Sequence, residues 1–199
     1  MPTDVTIIDS GGANLASLVF ALERLGARAE ITTDASAVGS ASRVILPGVG
    51  AAGDAMRRLQ TAGFDQTLPR LSQPVLGICL GMQLLFERSE ENGASGLGVL
   101  ADSVQRLHAG PGRPVPHMGW NRLRRLREDP LMEGITDADY LYFVHSYAAP
   151  VSGATLAATE YGTEFSAVVR NGNFWGAQFH PERSAGAGAR LLANFLRLE

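Results

Sequence analysis

The sequence predicts an α/β fold, with a mostly parallel open sheet, helices on both of its faces and a smaller antiparallel β extension. Strand-like runs alternate with helix-like segments at residues 5–26, 43–59 and 75–86. Two of these runs are apolar throughout, which is typical of strands covered on both faces. Residues 96–172 instead contain short β-like pieces separated by Gly, Pro and Asp, which predict the antiparallel part.

The first strand–helix unit begins at residues 5–9, an apolar run rich in β-formers. A turn at residues 10–12 follows, Asn14 is suited to cap the next helix, and Gly26 is suited to end it. The apolar side chains of this helix recur at helical spacing. They are Leu15, Leu18, Val19, Leu22 and Leu25.

The next two units contain the predicted central strands, residues 44–46 and 75–78, which are apolar throughout. The first is followed by a glycine-rich turn and a helix through residues 56–59. The second is followed by Cys79 and a helix through residues 84–86.

The predicted antiparallel extension includes residues 141–144 and 154–159. A last strand at 174–179, a loop at 180–182 and a closing helix at 189–198 complete the chain. These boundaries follow from the apolar periodicity of each segment.

Several chemically distinctive segments follow predicted strands. They are residues 10–12, residues 47–50, Cys79 and His180. In open α/β sheets, ligands bind outside the carboxyl ends of the strands. We therefore expect these segments to meet at one edge of the sheet and to form the functional site there.

Composition restricts the function classes. The 199 residues carry a formal charge of −3, with 45% hydrophobic and 19% charged residues, which fits one globular domain over residues 1–199. The negative charge argues against a nucleic-acid partner. The first ten residues do not resemble a signal peptide, and no apolar stretch reaches the ~20 residues that span a bilayer. We expect a cytoplasmic protein with no membrane partner.

Arginine supplies all of the basic side chains, and four of them lie close together in the sequence. They are Arg122, Arg124, Arg125 and Arg127. A solvated surface is the favoured interpretation of this cluster. The alternative is a docking site for an acidic partner or a phosphate ligand.

Cys79 is the only cysteine, which excludes an internal disulfide and a cysteine-rich metal site. It is either a small buried hydrophobe or a reactive thiol. The order Gly77-Ile78-Cys79-Leu80-Gly81 has the spacing of a nucleophile elbow, a sharp strand-to-helix turn with the nucleophile at its apex. Such a turn brings neighbouring chain so close that positions 77 and 81 must lack a Cβ. This spacing favours the reactive thiol.

His180 and Glu182 are separated by one proline, directly after a predicted strand. Pro181 favours an extended His180, and in extended chain residues i and i+2 project to the same side. The Glu182 carboxylate is then able to hold the imidazole, whose other nitrogen takes a proton from Cys79. Cys79, His180 and Glu182 are thus a candidate catalytic triad.

The remaining histidines, His108, His117 and His145, are expected to be structural, which is the commoner role for a histidine without such neighbours. No HExxH or CxxC spacing is present, so no metal is expected.

The motifs Gly-Ile-Cys-Leu-Gly-Met-Gln at residues 77–83 and Gln-Phe-His-Pro-Glu at 178–182 together resemble the class I, triad-type glutamine amidotransferases. Four further segments look like the glutaminase subunits of imidazole glycerol phosphate synthases, and the resemblance runs from about Val5 to Leu196. These segments are residues 9–14, 46–50, 116–121 and 143–147.

The resemblance implies a class I amidotransferase fold and a glutaminase that needs no cofactor. Cys79 attacks the side-chain amide of glutamine, ammonia leaves, and the glutamyl thioester is hydrolysed to glutamate. It also implies a heterodimer in which the ammonia passes to a separate cyclase subunit of barrel fold, in histidine biosynthesis.

The resemblance also implies roles for residues around the triad. The Leu80 amide and an amide at Val49 or Gly50 are candidates for the two donors of an oxyanion hole. Four residues match substrate-binding positions of the family. They are Gln83, Glu91 for the α-ammonium of glutamine, and Ser146 and Tyr147 near its α-carboxylate.

Residues 116–121 match the segment that faces the synthase in the family. Met118, Trp120 and Asn121 are therefore interface candidates, against the alternative that Met118 and Trp120 are ordinary core residues. Asn14 is a further interface candidate, and its role as a helix cap is equally well supported.

Other functions remain open at this point. Gly48, Gly50 and Gly53 spell GxGxxG after a strand, but the acidic residue that a dinucleotide site expects after the next strand is replaced by Cys79. A Cys-His-Glu hydrolase of another substrate, an amidotransferase subunit serving another synthase and a non-catalytic interaction subunit are the remaining alternatives.

Overall fold

The structure is a computed structural model that describes residues 4–11 and 15–199. Its β-strands, numbered along the chain, are β1 (Asp4–Ile8), β2 (Arg28–Thr32), β3 (Val44–Gly48), β4 (Val75–Cys79), β5 (Phe86–Ser89), β6 (Leu100–Arg106), β7 (His117–Arg122), β8 (Arg124–Arg125), β9 (Tyr140–His145), β10 (Tyr147–Ala148), β11 (Thr155–Tyr161), β12 (Thr163–Asn171) and β13 (Phe174–Ala177). Its α-helices are α1 (Leu15–Glu23), α2 (Ala52–Thr61), α3 (Phe64–Thr67), α4 (Leu80–Leu84) and α5 (Ala185–Phe195).

An eight-stranded sheet with the order β2-β1-β3-β4-β13-β12-β11-β8 organises the chain. The strands from β2 to β13 in this order are parallel, and β12, β11 and β8 continue the sheet antiparallel. All residues of β3 and β4 are buried, as their apolar sequences predict. The α/β prediction is confirmed.

Alternating side chains of the central strands enter two different hydrophobic cores. Ile45 packs in a core with residues of α1 and α5, while its neighbours Val44 and Leu46 pack in a core with residues of α2 and α4. Because successive strand side chains point to opposite faces, the helices cover both faces of the sheet. This layered packing fixes the strand ends that carry the site.

The antiparallel part differs in detail from the prediction. Much of it extends the main sheet, and β7 pairs with β9 in a separate antiparallel ribbon. A third sheet has the order β10-β6-β5, in which β5 and β6 are parallel rather than antiparallel.

Two predicted boundaries near the C-terminal end of the chain are wrong. The last strand ends at Ala177 rather than at residue 179, and the final helix is Ala185–Phe195 rather than residues 189–198. A short 3₁₀ turn at Pro181–Arg183 lies in the segment predicted as a loop. Pro181 begins it, which suits its fixed φ.

The predicted extent of the helix after Cys79, through residues 84–86, is also wrong. Helix α4 ends at Leu84, and Phe86 begins β5. Phe86 pairs with Leu100 of β6. An apolar run alone does not separate helix from strand, and here the long-range pairing decides. Strand β2, at the edge of the main sheet, has no counterpart in the prediction.

The carboxyl ends of β1, β3 and β4 meet at one edge, as expected for parallel strands. Ser10 Oγ donates a hydrogen bond to Pro47 O at 3.2 Å, and Gly48 pairs with Cys79. Gly12, the last residue of the predicted turn, lies outside the described residues. Within residues 4–11 and 15–199, no helix has the length and apolarity that crossing a membrane requires.

Candidate active site

Cys79 is the last residue of β4 and directly precedes α4. Its backbone angles are φ 55° and ψ −111°, which side-chain-bearing residues rarely adopt. Such strain costs about 1–3 kcal/mol and persists only where the surrounding structure imposes it. The chain thus turns sharply from strand to helix at Cys79, as the elbow spacing predicts.

The neighbouring glycines allow this turn by close approach. A Cβ on Gly81 would lie 1.8 Å from Leu46 O, and a Cβ on Gly77 would lie 2.7 Å from Gly81 O. Gly48 is equally crowded, because its Cβ would lie 2.9 Å from Gly81 N. Cβ atoms do not approach other atoms so closely, so glycine is required by packing at all three positions.

His180 and Glu182 are adjacent in space at the end of the neighbouring strand. His180 is extended (φ −97°, ψ 100°), and its Nδ1 lies 2.8 Å from Glu182 Oε1. The backbone of His180 is anchored on both sides, since its N–H donates to Tyr142 O at 2.9 Å and its carbonyl accepts from Ser184 Oγ at 2.6 Å. Glu182 therefore orients a ring whose position is already fixed by its backbone.

The charge state of His180 depends on this environment. Burial lowers the pKa of His180, but interactions with Cys79 and Glu182 outweigh it and raise the pKa to about 10. The His180 Nε2 atom is buried and has no hydrogen-bond partner within the described part of the chain. The geometry therefore suits a ring that accepts a proton at Nε2 and keeps it as an imidazolium.

A cavity of about 320 Å³ opens beside Cys79 and His180. Cys79 is largely buried, at 6% exposed, yet it lines this cavity. A thiol sealed entirely in apolar packing is thereby excluded. The other lining residues are Val49, Gly50, Leu80, Gln83, Glu91, Pro116, Val144, His145, Ser146 and Tyr147.

A strained cysteine, a glutamate-held imidazole and an adjoining cavity are the parts that nucleophilic attack on an acyl group requires. A family model described as "Glutamine amidotransferase class-I" matches residues 6–198. The chain belongs to the class-I glutamine amidotransferase family. As a member of that family, it is an enzyme.

Curated relatives of this amidotransferase match it over nearly their whole length. One, "Imidazole glycerol phosphate synthase subunit HisH" of Xanthomonas euvesicatoria pv. vesicatoria, is 55% identical over 196 residues, which cover 98% of each chain. A protein of the same name from Xylella fastidiosa (strain Temecula1) is 52% identical over 197 residues, covering 99% of this chain and 98% of the relative.

Solved structures show the same fold at lower identity. A glutamine amidotransferase crystal structure has a TM-score of 0.76 at 21% identity, with 96% of both chains covered. Another glutamine amidotransferase, from Thermotoga maritima, has a TM-score of 0.66 at 16% identity, and the match covers 92% of this chain and 77% of the other. These likenesses concern the fold alone.

The expected oxyanion donors lie beside the cysteine of the amidotransferase. Leu80 is the first residue of α4, and the β3–β4 register places Gly48 against Cys79, so that Val49 and Gly50 follow at the cavity wall. Gly50 has φ +89° with open space around the position of a Cβ, so its backbone conformation rather than crowding favours glycine there.

Gln83 of the amidotransferase faces the cavity from α4. Its Nε2 donates to Tyr147 O at 2.7 Å and to Gln178 Oε1 at 3.0 Å. Ser146, between β9 and β10, and Tyr147, the first residue of β10, also line the cavity. Gln83 thus joins α4 to the strand segment expected near the substrate.

Glu91 also lines the cavity, but it already holds one partner. Its Oε2 accepts a hydrogen bond from the N–H of Ala52, the first residue of α2, at 2.6 Å. A carboxylate has about four lone-pair sites, so this contact leaves room for a second donor such as an ammonium group.

The expected interface residues on β7 are differently exposed. Met118 is 64% and Trp120 is 51% exposed, so the interpretation of these two as core residues is wrong. Asn121 is half-buried and its Nδ2 donates to Glu160 O at 2.9 Å, which ties it to β11. Asn14 lies outside the described residues.

Two polar residues of the site were not predicted to have a role there. His145, expected to be structural, lines the cavity, and Gln178 contacts the Cys79 sulfur, with 3.9 Å between its Nε2 and Sγ. Gln178 belongs to the motif that contains His180 and lies two residues before it. The extended conformation expected for this segment was the available signal, because residues i and i+2 of an extended chain project to the same side.

The four clustered arginines interact mainly with the protein itself. Arg124 pairs with Glu164, the Arg125 Nε lies 3.7 Å from Asp137 Oδ1, and the Arg122 guanidinium lies 4.6 Å from the centre of the Tyr140 ring. All four remain exposed, which agrees with a solvated surface. In the described ranges, no group of three or more His, Cys, Asp or Glu side chains is arranged to hold a metal ion.

Proposed function

We propose that the chain is the glutaminase subunit of imidazole glycerol phosphate synthase. It hydrolyses glutamine to glutamate and ammonia and passes the ammonia to a separate cyclase subunit of barrel fold, its heterodimer partner, in histidine biosynthesis. Cys79 and His180 line one cavity, and Glu182 contacts the Nδ1 atom of His180; this arrangement carries the glutaminase proposal. The 55% identity to the Xanthomonas HisH subunit, over 98% of both chains, supports the choice of synthase.

The proposed reaction begins with a proton transfer from the Cys79 thiol to His180 Nε2. This step forms a thiolate and an imidazolium, a pair that the raised pKa of His180 favours. The thiolate then attacks the side-chain carbonyl carbon of glutamine, and the carbonyl oxygen becomes an oxyanion.

The proposed oxyanion donors are the Leu80 amide and an amide of Val49 or Gly50. Removing one such donor typically costs about 2.7–4 kcal/mol of transition-state stabilisation. Gly50 adopts a positive φ that glycine reaches without strain, so the loop at 49–50 is the part of the hole best able to reorient.

The tetrahedral intermediate collapses when the His180 imidazolium protonates the departing amide nitrogen. The C–N bond breaks, ammonia leaves, and a γ-glutamyl thioester remains on Cys79. His180 then takes a proton from water, the resulting hydroxide adds to the thioester, and the C–S bond breaks. Glutamate leaves, and His180 transfers the proton it took from water to the Cys79 sulfur, which restores the thiol.

We assign the other polar groups of the cavity to substrate binding. Glu91 supplies a negative charge for the α-ammonium of glutamine, and Gln83, Ser146 and Tyr147 line the remaining wall. A cavity of about 320 Å³ accommodates an amino acid of this size.

The proposed partner surface is the outer face of the β7–β9 ribbon. The β7–β9 register places Met118 beside Val144 and Trp120 beside Tyr142, and the Trp120 and Tyr142 rings are 5.8 Å apart. Because Val144 also lines the cavity, this apolar face extends to the active site. Exposed aromatic residues are typical anchors of protein interfaces, which supports docking of the cyclase subunit here.

We further propose that residues 1–199 form one glutaminase domain that works in the cytoplasm. The family model covers residues 6–198, and both hydrophobic cores pack against the same central sheet. Biosynthetic relatives support the location.

Cys79→Ala tests the proposed function in the reconstituted synthase. We expect glutamine-dependent product formation to be lost, because no thioester forms, and ammonia-dependent formation by the cyclase to be largely retained. Product formation is measured with glutamine and with ammonium salts as alternative nitrogen sources, and wild type is the control. Glutaminase activity that survives the substitution contradicts the assignment of the nucleophile.

The same reconstitution separates the alternatives. We expect the isolated subunit to hydrolyse glutamine slowly and the complex with its nucleotide ligand to hydrolyse it faster. High turnover without a partner favours a hydrolase of another kind. Failure to bind the barrel-shaped cyclase favours an amidotransferase serving another synthase.

A further inference from the structure

We propose that Gln178 is a positioning residue for the nucleophile, and that its side-chain amide donates a hydrogen bond that holds the Cys79 sulfur and stabilises its thiolate form. The proposal rests on the proposed function in one respect, the identity of Cys79 as the nucleophile.

The side chain of Gln178 is buried beside the sulfur. The residue is 0% exposed, and its Nε2 lies 3.9 Å from Cys79 Sγ. Burying an amide is unfavourable unless its polar atoms find partners, so an apolar residue of the same volume would suit a purely structural position better. The amide is therefore expected to act through its hydrogen bonds.

The direction of the Gln178 amide is fixed by its neighbours. Tyr147 O is a carbonyl oxygen and only accepts hydrogen bonds. The atom of Gln83 that contacts it at 2.7 Å must therefore be the amide nitrogen Nε2. The same amide nitrogen lies 3.0 Å from an atom of the Gln178 side chain, and that atom must be the acceptor Oε1. Gln178 consequently turns its Nε2 donor toward Cys79 Sγ.

A buried pair of histidines extends this network behind Tyr147. His145 Nδ1 donates to Tyr147 O at 2.9 Å, which leaves His145 Nε2 to accept from His117 Nδ1 at 3.2 Å. Burial lowers the pKa of His145 to about 3 and that of His117 to about 4, so both rings stay neutral, as these hydrogen bonds require. The Tyr147 carbonyl is thus held from two sides.

The thiol and the thiolate use different partners. As a thiol, Cys79 Sγ contacts the Val144 carbonyl at 3.8 Å, to which it is able to donate. When the proton moves to His180 Nε2, the sulfur becomes an acceptor and the carbonyl contact turns unfavourable. The Gln178 N–H then supplies a hydrogen bond that suits the charged sulfur.

Other titratable groups also face the sulfur. His180 lies beside it, backed by Glu182, and the cavity wall adds His145, Glu91 and Tyr147. Removing the Gln178 donor leaves all of these groups in place. A change in the pH dependence of Cys79 reactivity that also occurs in a variant keeping the acceptor for Gln83 is therefore attributable to the lost hydrogen bond to the sulfur.

The experiment measures alkylation of Cys79 by iodoacetamide, followed by mass spectrometry from about pH 5 to about pH 10. Cys79 is the only cysteine of the chain, so a single thiol is modified. Gln178→Met keeps the side-chain length and removes both the donor to Cys79 Sγ and the acceptor for Gln83 Nε2. We expect alkylation at neutral pH to slow about tenfold, the size of one hydrogen bond to a charged group, and the rates to converge at high pH, where the thiolate forms regardless.

Gln178→Glu is the second variant, and it keeps the shape and the acceptor for Gln83. It places a carboxylate oxygen against the sulfur, so we expect slower alkylation than for Gln178→Met. If Gln178→Met melts below the assay temperature, the near-isosteric Glu variant provides the test. Gln73→Met is the matched control, because Gln73 Nε2 donates to Val38 O at 2.7 Å away from the cavity.

Two outcomes overturn the proposal. One is alkylation of Cys79 in the Gln178 variants at the wild-type rate at every pH. The other is a reduction in the alkylation rate that stays constant up to high pH, as a steric effect would produce. In the synthase complex we expect kcat for glutamine to fall and KM to change little. Alkylation requires neither glutamine nor the partner, so failure of the proposed function leaves this test valid.

Discussion

At the scale of single residues, Glu182 has the most informative surroundings. Its side chain is 8% exposed, Oε1 contacts His180, and Oε2 is buried without a hydrogen-bond partner among the described residues. A buried carboxylate is costly unless it is compensated, and here the compensation is an imidazolium. The ionised form of Glu182 and the protonated form of His180 therefore stabilise each other.

Glu182→Gln keeps the shape of the side chain and removes the charge that helps to raise the pKa of His180. We expect the alkaline limb of the pH–rate profile to move to lower pH. We also expect a smaller loss of activity than for His180→Ala, which removes the base and costs about 10²–10⁴-fold. The measurement is kcat/KM for glutamine in the synthase complex from about pH 6 to about pH 11. Equal losses in the two variants, or an unmoved alkaline limb, contradict this role.

The raised pKa of His180, to which Cys79 and Glu182 both contribute, affects stability in a defined direction. The pKa of His180 is raised from 6.5 to about 10 in the folded chain. Its contribution to stability is therefore fully present below pH 6.5 and is lost as the pH rises through about 10.

At the scale of elements, the β7–β9 ribbon has two different faces. His117 packs inward between the rings of Phe143 and Tyr161, while Met118 and Trp120 are exposed. Alternation along a strand produces this division. The ribbon therefore connects an exposed apolar face with the buried histidine pair behind the cavity.

Trp120→Ala tests the docking role of this ribbon. Central aromatic anchors typically contribute at least about 2 kcal/mol to binding, so we expect the affinity for the cyclase subunit to fall roughly 30-fold. The stability of the free subunit should change little, since Trp120 is half-exposed. Titration calorimetry with the cyclase gives the affinity, and Val151→Ala, at another exposed apolar residue, is the control. Unchanged affinity of Trp120→Ala places the partner elsewhere.

Element types were predictable where patterning was strong. The apolar strands β3 and β4 follow from their sequences, but the exposed pattern of β2 contains no comparable signal. The end of α4 was not predictable, because the apolar run continues through Phe86 and only pairing with β6 makes that residue a strand. The element type of such residues is therefore determined by long-range contacts rather than by the local sequence pattern.

At the scale of the whole molecule, the parallel sheet assembles the site. It pairs β4 with β13, so that Cys79, which ends β4, and His180, which follows β13, lie at the same edge although they are distant in sequence. This part of the site was predictable from the rule that ligands bind outside the carboxyl ends of parallel strands. The elbow glycines were predictable as well, because only close approach explains their spacing.

The supporting network of the site was not predictable in the same way. Gln178, His145 and His117 act through hydrogen bonds between different elements, and their tautomers and amide directions follow only from the assembled packing. Glu91 is similar, because its contact with the start of α2 joins residues that no sequence motif connects. Such groups require the tertiary structure.

The central claim is that Cys79 is the nucleophile for glutamine, and covalent trapping tests it most directly. The synthase complex is treated with a glutamine analogue that carries an electrophilic ketone in place of the amide, and the modified peptide is identified by mass spectrometry. We expect one adduct, on Cys79, that glutamine suppresses, with loss of glutamine-dependent activity and retention of ammonia-dependent activity. An adduct on any other residue, or full glutamine-dependent activity with Cys79 modified, would contradict it.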